Sequence, residues 1–297
     1  MVFVSPVTGG FAPPRHHYSK ANLIEGSLTV TVVADDPLIS GMDIRRMLPL
    51  HESSGRLRTL CPDGPRVHGV AVMADLSRRR WWPLIELVQT DRLQKMFDAT
   101  QLETGSAVIA AQQLAATLAH VVVGRVVALL MLEGRAWDVG MENLWVHVDS
   151  EGAIDWVGVV DPLVRALSDD PCLTHRGARS TRRDGIVALP GEAALVTWVA
   201  HRAHRALEPL FARLHLVSGG AITLGAMWHI VGSTVVSVAT ALPTAVRNSG
   251  VRWPGGGSED VAVDRAQAVL DAMVGFGAPV RGSLRVAAAR PVLHRAC

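Results

Sequence analysis

The stretch Gly134-Arg135-Ala136-Trp137-Asp138-Val139-Gly140-Met141-Glu142-Asn143-Leu144-Trp145-Val146-His147-Val148-Asp149-Ser150-Glu151-Gly152-Ala153-Ile154-Asp155-Trp156-Val157 decides how the chain is read. Trp145, His147 and Asp149 alternate with Leu144, Val146 and Val148, the period of two that marks a strand with one buried face. Asp149-Ser150-Glu151-Gly152 is turn chemistry, and a second apolar run, Ile154 to Val160, follows it. The pattern predicts a β-hairpin. Asn143 then stands where a loop becomes a strand, with Asp138 in the loop before it and Asp155 early in the second strand. Such an arrangement can aim several polar groups into one cleft. Asp138 and Asn143 could equally satisfy the turn's own backbone, because short polar side chains commonly close Asx-turns.

Upstream, the apolar run Val108 to Leu132 predicts a helix that stops at Gly134, since glycine accepts the left-handed backbone of a helix end. Thr104 to Gly124 contains no Asp, Glu, Lys or Arg, and neither does Leu214 to Val246. Length alone would let either cross a bilayer. Against that stand Gln112, Gln113, Thr117 and His120 in the first, His215, Thr223, His229, Ser233 and Thr234 in the second, and loops without a one-sided Lys/Arg bias. The expectation is two buried helices and no stable membrane insertion.

Downstream, Cys172 to Arg183 carries Arg176, Arg179, Arg182 and Arg183 with little apolar content, which predicts an exposed loop and a cationic rim for an anionic ligand. Pro190-Gly191-Glu192 opens a helix with Leu195, Trp198, Val199, Leu207, Leu210, Phe211 and Leu214 on its buried stripe. A hinge at Asn248 to Ser258 precedes a last helix, Glu259 to Phe276.

The N-terminal part is mixed. Met1 to Lys20 has no basic leader and is broken by Pro6, Gly9, Gly10, Pro13 and Pro14, so it reads as a loose arm and not as a signal peptide. Leu28 to Val33 and Val70 to Met73 read as strands, and Leu76 to Phe97 as one helix started near Pro83. The expected organisation is a mixed α/β region, 1–100, followed by a helical region, 101–297. The fold class is α+β, dominated by helices, with a small N-terminal β-region and a central hairpin.

A chain of 297 residues with 49% hydrophobic content can bury a sizeable core. The formal charge of +2 argues against a nucleic-acid partner. Cys61, Cys172 and Cys297 are odd in number and far apart, which gives neither a disulfide framework nor a Cys-x-x-Cys, so a reducing, cytoplasmic compartment is expected. Homo-oligomerisation stays open.

Several of these segments resemble the FhuF-like ferric-siderophore reductase family, whose domain is also similar to part of the NRPS-independent siderophore synthetases. They are the apolar helix Gly105 to Leu132, Gly134-Arg135, the polar loop Asp138 to Glu142, and Asn143-Leu144-Trp145-Val146. Leu207-Glu208-Pro209-Leu210-Phe211, the turn Ser218-Gly219-Gly220, and Ala226-Met227-Trp228-His229-Ile230-Val231-Gly232-Ser233 look similar to a later part of that family. The resemblance implies a FhuF-like fold with a siderophore- or iron-related, oxidoreductase-like function, or a secondary-metabolite enzyme working in the same pocket. A non-catalytic siderophore-binding protein is a further alternative. The catalytic candidates are Asp138, Asn143 and His229, the last because a histidine inside an apolar helix must find a partner or face a cavity. Arg135, Trp137, Trp145 and Trp228 are the candidates for holding a bulky small-molecule ligand.

The family ends in an Arg-rich approach to two adjacent cysteines and a further Cys-x-x-Cys, which together hold a 2Fe–2S cluster; such a cluster needs four thiolates. His294-Arg295-Ala296-Cys297 matches only the beginning of that motif, so Cys297 counts as a remnant and neither a cluster nor any other cofactor is expected. Four histidines, His201, His204, His215 and His229, lack a carboxylate or cysteine at ligand spacing, and Arg202 and Arg205 would repel a cation.

Asp138-x4-Asn143 and Ile154-Asp155-Trp156 also resemble small-molecule kinases of the aminoglycoside-phosphotransferase type. That resemblance implies Asp138 as base and Asn143 and Asp155 as magnesium ligands. It lacks the strand lysine under a Gly-rich loop, since Lys20 falls in the arm and Lys95 in a helix, and Ala136 stands where a histidine often precedes the aspartate. The kinase is therefore the alternative.

Overall fold

The computed structural model describes residues 42, 44, 46–61, 70–76, 79–174, 185–254, 257–281 and 284. The arm 1–20, the strand expected at 28–33, the arginines at 176, 179, 182 and 183, and Cys297 lie outside the described residues.

In chain order the elements are α1 (Pro49–Leu60), β1 (Val70–Val72), a 3-10 turn (Met73–Asp75), β2 (Trp81–Pro83), α2 (Glu86–Gln89), α3 (Arg92–Thr104) and α4 (Ala107–Ala119). A π-helical turn (His120–Gly124) leads into α5 (Arg125–Glu133), then β3 (Arg135–Trp137), β4 (Leu144–Val148), β5 (Ile154–Val159), β6 (Val164–Leu167) and α6 (Pro171–Thr174). β7 (Ile186–Leu189), α7 (Glu192–Val217), α8 (Leu224–Ser249) and α9 (Glu259–Gly275) complete the described part. The fold is α+β and helix-dominated, with two small sheets.

The hairpin forms where alternation places it. β4 and β5 run antiparallel with Leu144 opposite Val159 and His147 opposite Trp156. Asp149 closes the turn, its Oδ1 accepting from the amides of Glu151 and Ala153 at 2.9 Å, and Gly152 takes φ +85° there. β1 adds to β5 in parallel and β2 to β4 in antiparallel fashion, giving the order β1-β5-β4-β2. Strands from before residue 100 thus complete the hairpin's sheet, and the division expected between residues 100 and 101 falls inside α3. One sheet face, with Leu144, Val146, Val157 and Val159, joins the main core. The other carries a small separate cluster of Ala71, Met73, Trp81 and Trp156, against which Trp145 packs.

Residues 76–97 do not form the single helix expected of them. Trp81-Trp82-Pro83 is edge strand β2, in register with His147, Val146 and Trp145, and Trp81 is 3% exposed. Burial of Trp81 in the separate cluster on one face and of Trp82 against the main core on the other outweighs the helix-starting tendency of Pro83, and an edge strand tolerates proline's missing N–H. The helical part then splits into α2 and α3 at Thr90 and Asp91, where Thr90 Oγ1 bonds back to the carbonyl of Glu86 at 2.7 Å.

A second sheet, β3-β6-β7, has β6 antiparallel to β3 and parallel to β7. Its strands run three or four residues, too short to show a period in the sequence.

The run from Ala107 to Glu133 and helix α8 are both long and apolar enough to cross a membrane; 83% of the most apolar window of the first is buried inside the fold and 39% of the second. Ser106 caps α4 by accepting from Ile109 N, and Gly134, at φ +62°, ends α5 as expected. Midway, the π-turn folds the His120 ring over Gly124, where a Cβ would lie 2.5 Å from His120 Nδ1. Arg265 of α9 holds Glu192, at the start of α7, at 3.0 Å and lies against Gly134, so α5, α7 and α9 meet beside the second sheet. Trp228 of α8 stacks on His204 of α7 (centroids 5.2 Å apart) and meets Phe211 edge-on at the same distance.

Candidate functional site

The loop 138–143 is built around Asn143, which is 6% exposed. Its Nδ2 donates to the carbonyls of Asp138 (2.9 Å) and Asp161 (3.3 Å), and its Oδ1 accepts from the amides of Val160 (3.1 Å) and Asp161 (2.7 Å). All four hydrogen-bonding positions of the side chain amide are occupied by backbone. Asn143, a catalytic candidate, is a clamp between the loop and the end of β5. Asp138, the second candidate, caps Gly140 N at 2.8 Å and receives Arg202 of α7 in a fork, Nε at 2.7 Å and Nη2 at 3.1 Å. Arg202 Nη2 also reaches Glu142. Burial works against the charge of Arg202, but hydrogen bonds to Asp138 and Glu142 raise its pKa, and the same contact holds Glu142 below the usual carboxylate range. Arg202 lies so flat on the loop that a Cβ at Gly140 would fall 1.7 Å from Nη2. An aspartate capped by a backbone amide and forked by a guanidinium is a poor general base, because its lone pairs are already engaged.

The hairpin register decides the third carboxylate. Asp155 sits beside His147, bonded to Nδ1 at 2.6 Å, at the turn end of the hairpin. Asn143 lies at the opposite end, four residues along the strand from His147, or roughly 13 Å at strand rise. Asp155 therefore does not join Asp138 and Asn143. Asp161 does; its backbone is held by Asn143, and its carboxylate accepts from Leu163 N at 3.2 Å and faces Arg165 at 3.8 Å. The Ile-Asp-Trp spacing pointed to Asp155, but the strand register brings Asp161 to Asn143 instead.

Arg135 builds a different centre. It is 5% exposed, and its five N–H groups are all used. Nε and Nη2 fork onto Asp170 at 2.6 and 2.8 Å, Nη1 donates to Ser53 Oγ at 3.2 Å and Glu133 at 3.0 Å, and Nη2 also reaches Cys172 Sγ at 3.1 Å. Arg56 Nε holds the other oxygen of Glu133 at 2.5 Å. Burial opposes the charge of Arg135, yet Asp170 and Glu133 raise its pKa well above the free value. A half-enclosed pocket of about 250 Å³ opens onto this network, with Pro171, Cys172 and Pro254 on its wall.

The remaining candidates do not converge. Trp137 is fully buried in the main core, its Nε1 without a partner among the described residues, Trp145 faces the separate cluster on the other side of the sheet, and Trp228, on α8, is 6% exposed and stacked against His204 of α7. His229 is half-buried, and its ring has no hydrogen-bond partner among the described residues. What lies open instead is a groove along α7 lined by Ala193, Ala194, Thr197, Trp198, His201 and Phe276. Arg165 stacks on the ring of Trp198 at 4.8 Å, and His201 meets Phe276 edge-on at 5.3 Å. Trp198 was expected on the buried stripe of its helix and is half-exposed. Trp198 and His201 stand three apart on this helix, but nothing in the sequence joined them to each other or to Phe276 at the end of the last helix.

Among the described residues no group of three or more His, Cys, Asp or Glu side chains is placed to hold a metal ion. Cys61 and Cys172 are both unpaired thiols; burial raises the Cys61 pKa, and Arg125 beside it pulls the other way. Comparison with sequence families, with curated proteins and with solved structures gives no match.

Proposed function

We propose that this chain is a FhuF-like protein that binds a ferric siderophore or a similarly bulky chelate in the groove along α7. The observation that carries the reading is the packing of the segments that bear the resemblance. The helix ending at Gly134, the loop led by Asp138 and the Trp228 segment all close onto α7, through Arg265, Arg202 and the His204–Trp228 stack respectively. The same helix leaves Trp198 and His201 open to solvent opposite Phe276. Trp198 and Phe276 beside the small residues Ala193, Ala194 and Thr197 form an open, shallow aromatic face that suits a large ligand with flat faces, and Arg165 beside Trp198 adds a cation for an anionic chelate. Asp138 and Asn143 serve this reading by holding the loop on α7.

Isothermal titration calorimetry with a ferric hydroxamate chelate, its iron-free form, and ATP with magnesium tests it. The ferric chelate is expected to bind saturably and to lose tenfold or more in affinity in Trp198→Ala, since aromatic anchors dominate such contacts. No saturable binding, or binding unchanged in Trp198→Ala, overturns the proposal. Tight ATP–magnesium binding lost in Asp138→Asn would establish the kinase alternative instead.

A further inference from the structure

The half-enclosed pocket beside Arg135 has a mouth unlike its interior. Inside, charges are closed on one another: Arg135 has no N–H to spare, Glu133 is 2% exposed and shared by Arg56, Arg135 and Ser53, and Asp170 is forked by Arg135. At the mouth, Glu52 and Arg56 stand one turn apart on α1, the spacing at which a glutamate and an arginine ordinarily pair with each other. They do not pair here. The Nε of Arg56 is drawn onto buried Glu133, which leaves its two terminal nitrogens without a partner among the described residues, and the Glu52 carboxylate likewise.

From this juxtaposition we infer that the pocket binds a small zwitterion of the α-amino-acid class. Its carboxylate sits on the terminal nitrogens of Arg56, its ammonium on Glu52, and its side chain against Pro171, Cys172 and Pro254. Size and charge both restrict the ligand. A volume of about 250 Å³ is below that of pockets for drug-sized molecules and admits something of amino-acid size. The lining carries three carboxylates, Glu52, Glu133 and Asp170, against two guanidiniums, Arg56 and Arg135, so a simple anion meets a surplus of negative charge. A simple cation would leave the Arg56 fork unmatched. A ligand carrying both charges a few bonds apart satisfies both free groups at once. This site shares no residue with the α7 groove, so either proposal can fail without the other.

The experiment is calorimetric titration of the whole chain with each of the twenty L-amino acids, then with the methyl ester and the N-acetyl derivative of the tightest one, and with propionate. The expected result is binding of one or a few amino acids, with roughly tenfold or greater loss for the ester, for the N-acetyl form, and in Glu52→Gln, as expected when a charge-assisted bond is removed. Arg56→Gln should abolish binding, and Glu52→Gln, at an exposed position, keeps the test free of folding effects. Three results overturn the inference: no amino acid binds, the blocked derivatives bind as well as the parent, or propionate binds equally, which would make this an anion site only.

Discussion

Two arginines, Arg135 and Arg202, hold the two ends of the segment 135–143, each by a fork onto an aspartate at nearly the same distances. Their surroundings differ. The Arg135 side chain is 6% exposed, and its partners Glu133 and Asp170 are 2% and 3% exposed, whereas Arg202 is 22% exposed and its second partner, Glu142, is 70% exposed. In water-accessible surroundings a lost partner is replaced by solvent; in the interior it is not. Equal geometry therefore predicts unequal consequences.

The largest effect should come from Arg135→Met, which strands the Asp170 carboxylate in the interior and leaves Glu133 with only Arg56 and Ser53. Urea unfolding is expected to show a loss of about 3–5 kcal/mol. A loss below about 1 kcal/mol would mean that water already reaches Glu133 and Asp170, and the contrast would break.

His120 sharpens the same point from the other direction. Arg135 keeps its charge because carboxylates are buried with it; His120, buried beside the cation Arg125, gives its charge up, and burial lowers its pKa to about 4. The unfolded chain, with an ordinary histidine near 6.5, binds the extra proton first as pH falls. Stability contributed by the neutral ring is therefore full above about pH 6.5 and lost progressively as the pH drops toward 4, by up to ~3 kcal/mol. Melting temperatures of His120→Gln and the parent chain should converge in shape above pH 7 and diverge below 6, the parent falling more steeply. Parallel profiles would show that His120 is solvated.

Asn143→Ala comes next. It leaves the amide of Asp161 without its acceptor and unties the side-chain clamp on the Asp138 and Asp161 carbonyls, while Val160 N keeps the backbone carbonyl of residue 143, and a cost of roughly 1–3 kcal/mol is expected. Chelate affinity in the folded fraction should stay within about twofold, because a residue spent on backbone does not touch ligand. Normal stability with lost binding would return Asn143 to the site.

The smallest effect is expected for Arg202→Ala, about 0.2–1 kcal/mol, since Asp138 keeps its bond to Gly140 N and Glu142 turns to water. Raised salt should shrink the difference further. A penalty as large as that of Arg135→Met would show that α7 shields this fork far better than its exposure implies.

What the sequence determined by itself is the local part. Alternation from Leu144 to Val148, the Asp149 turn and the glycine at 134 each act within a few residues, through side-chain direction and φ, and they placed the hairpin and the end of α5. Helices α7, α8 and α9 were legible for the same reason, as long runs with a buried stripe or an apolar composition. The α+β class followed from those elements, while the FhuF-like resemblance rests on the residues that suggested it.

Tertiary structure alone decided the rest. Whether Trp81-Trp82-Pro83 is helix or strand depended on an open edge of β4 some sixty residues away, and local propensity gave the other answer. Asp161 rather than Asp155 came to Asn143 because strand length fixed the register, and a spacing counted along the chain cannot see where a hairpin turns. Arg202 meets Asp138 across 64 residues and Arg135 meets Ser53 across 82. An arginine looks the same in sequence whether it will be bathed in water or sealed against two carboxylates; only the packing of distant elements around it sets that environment, and with it what the charge can do.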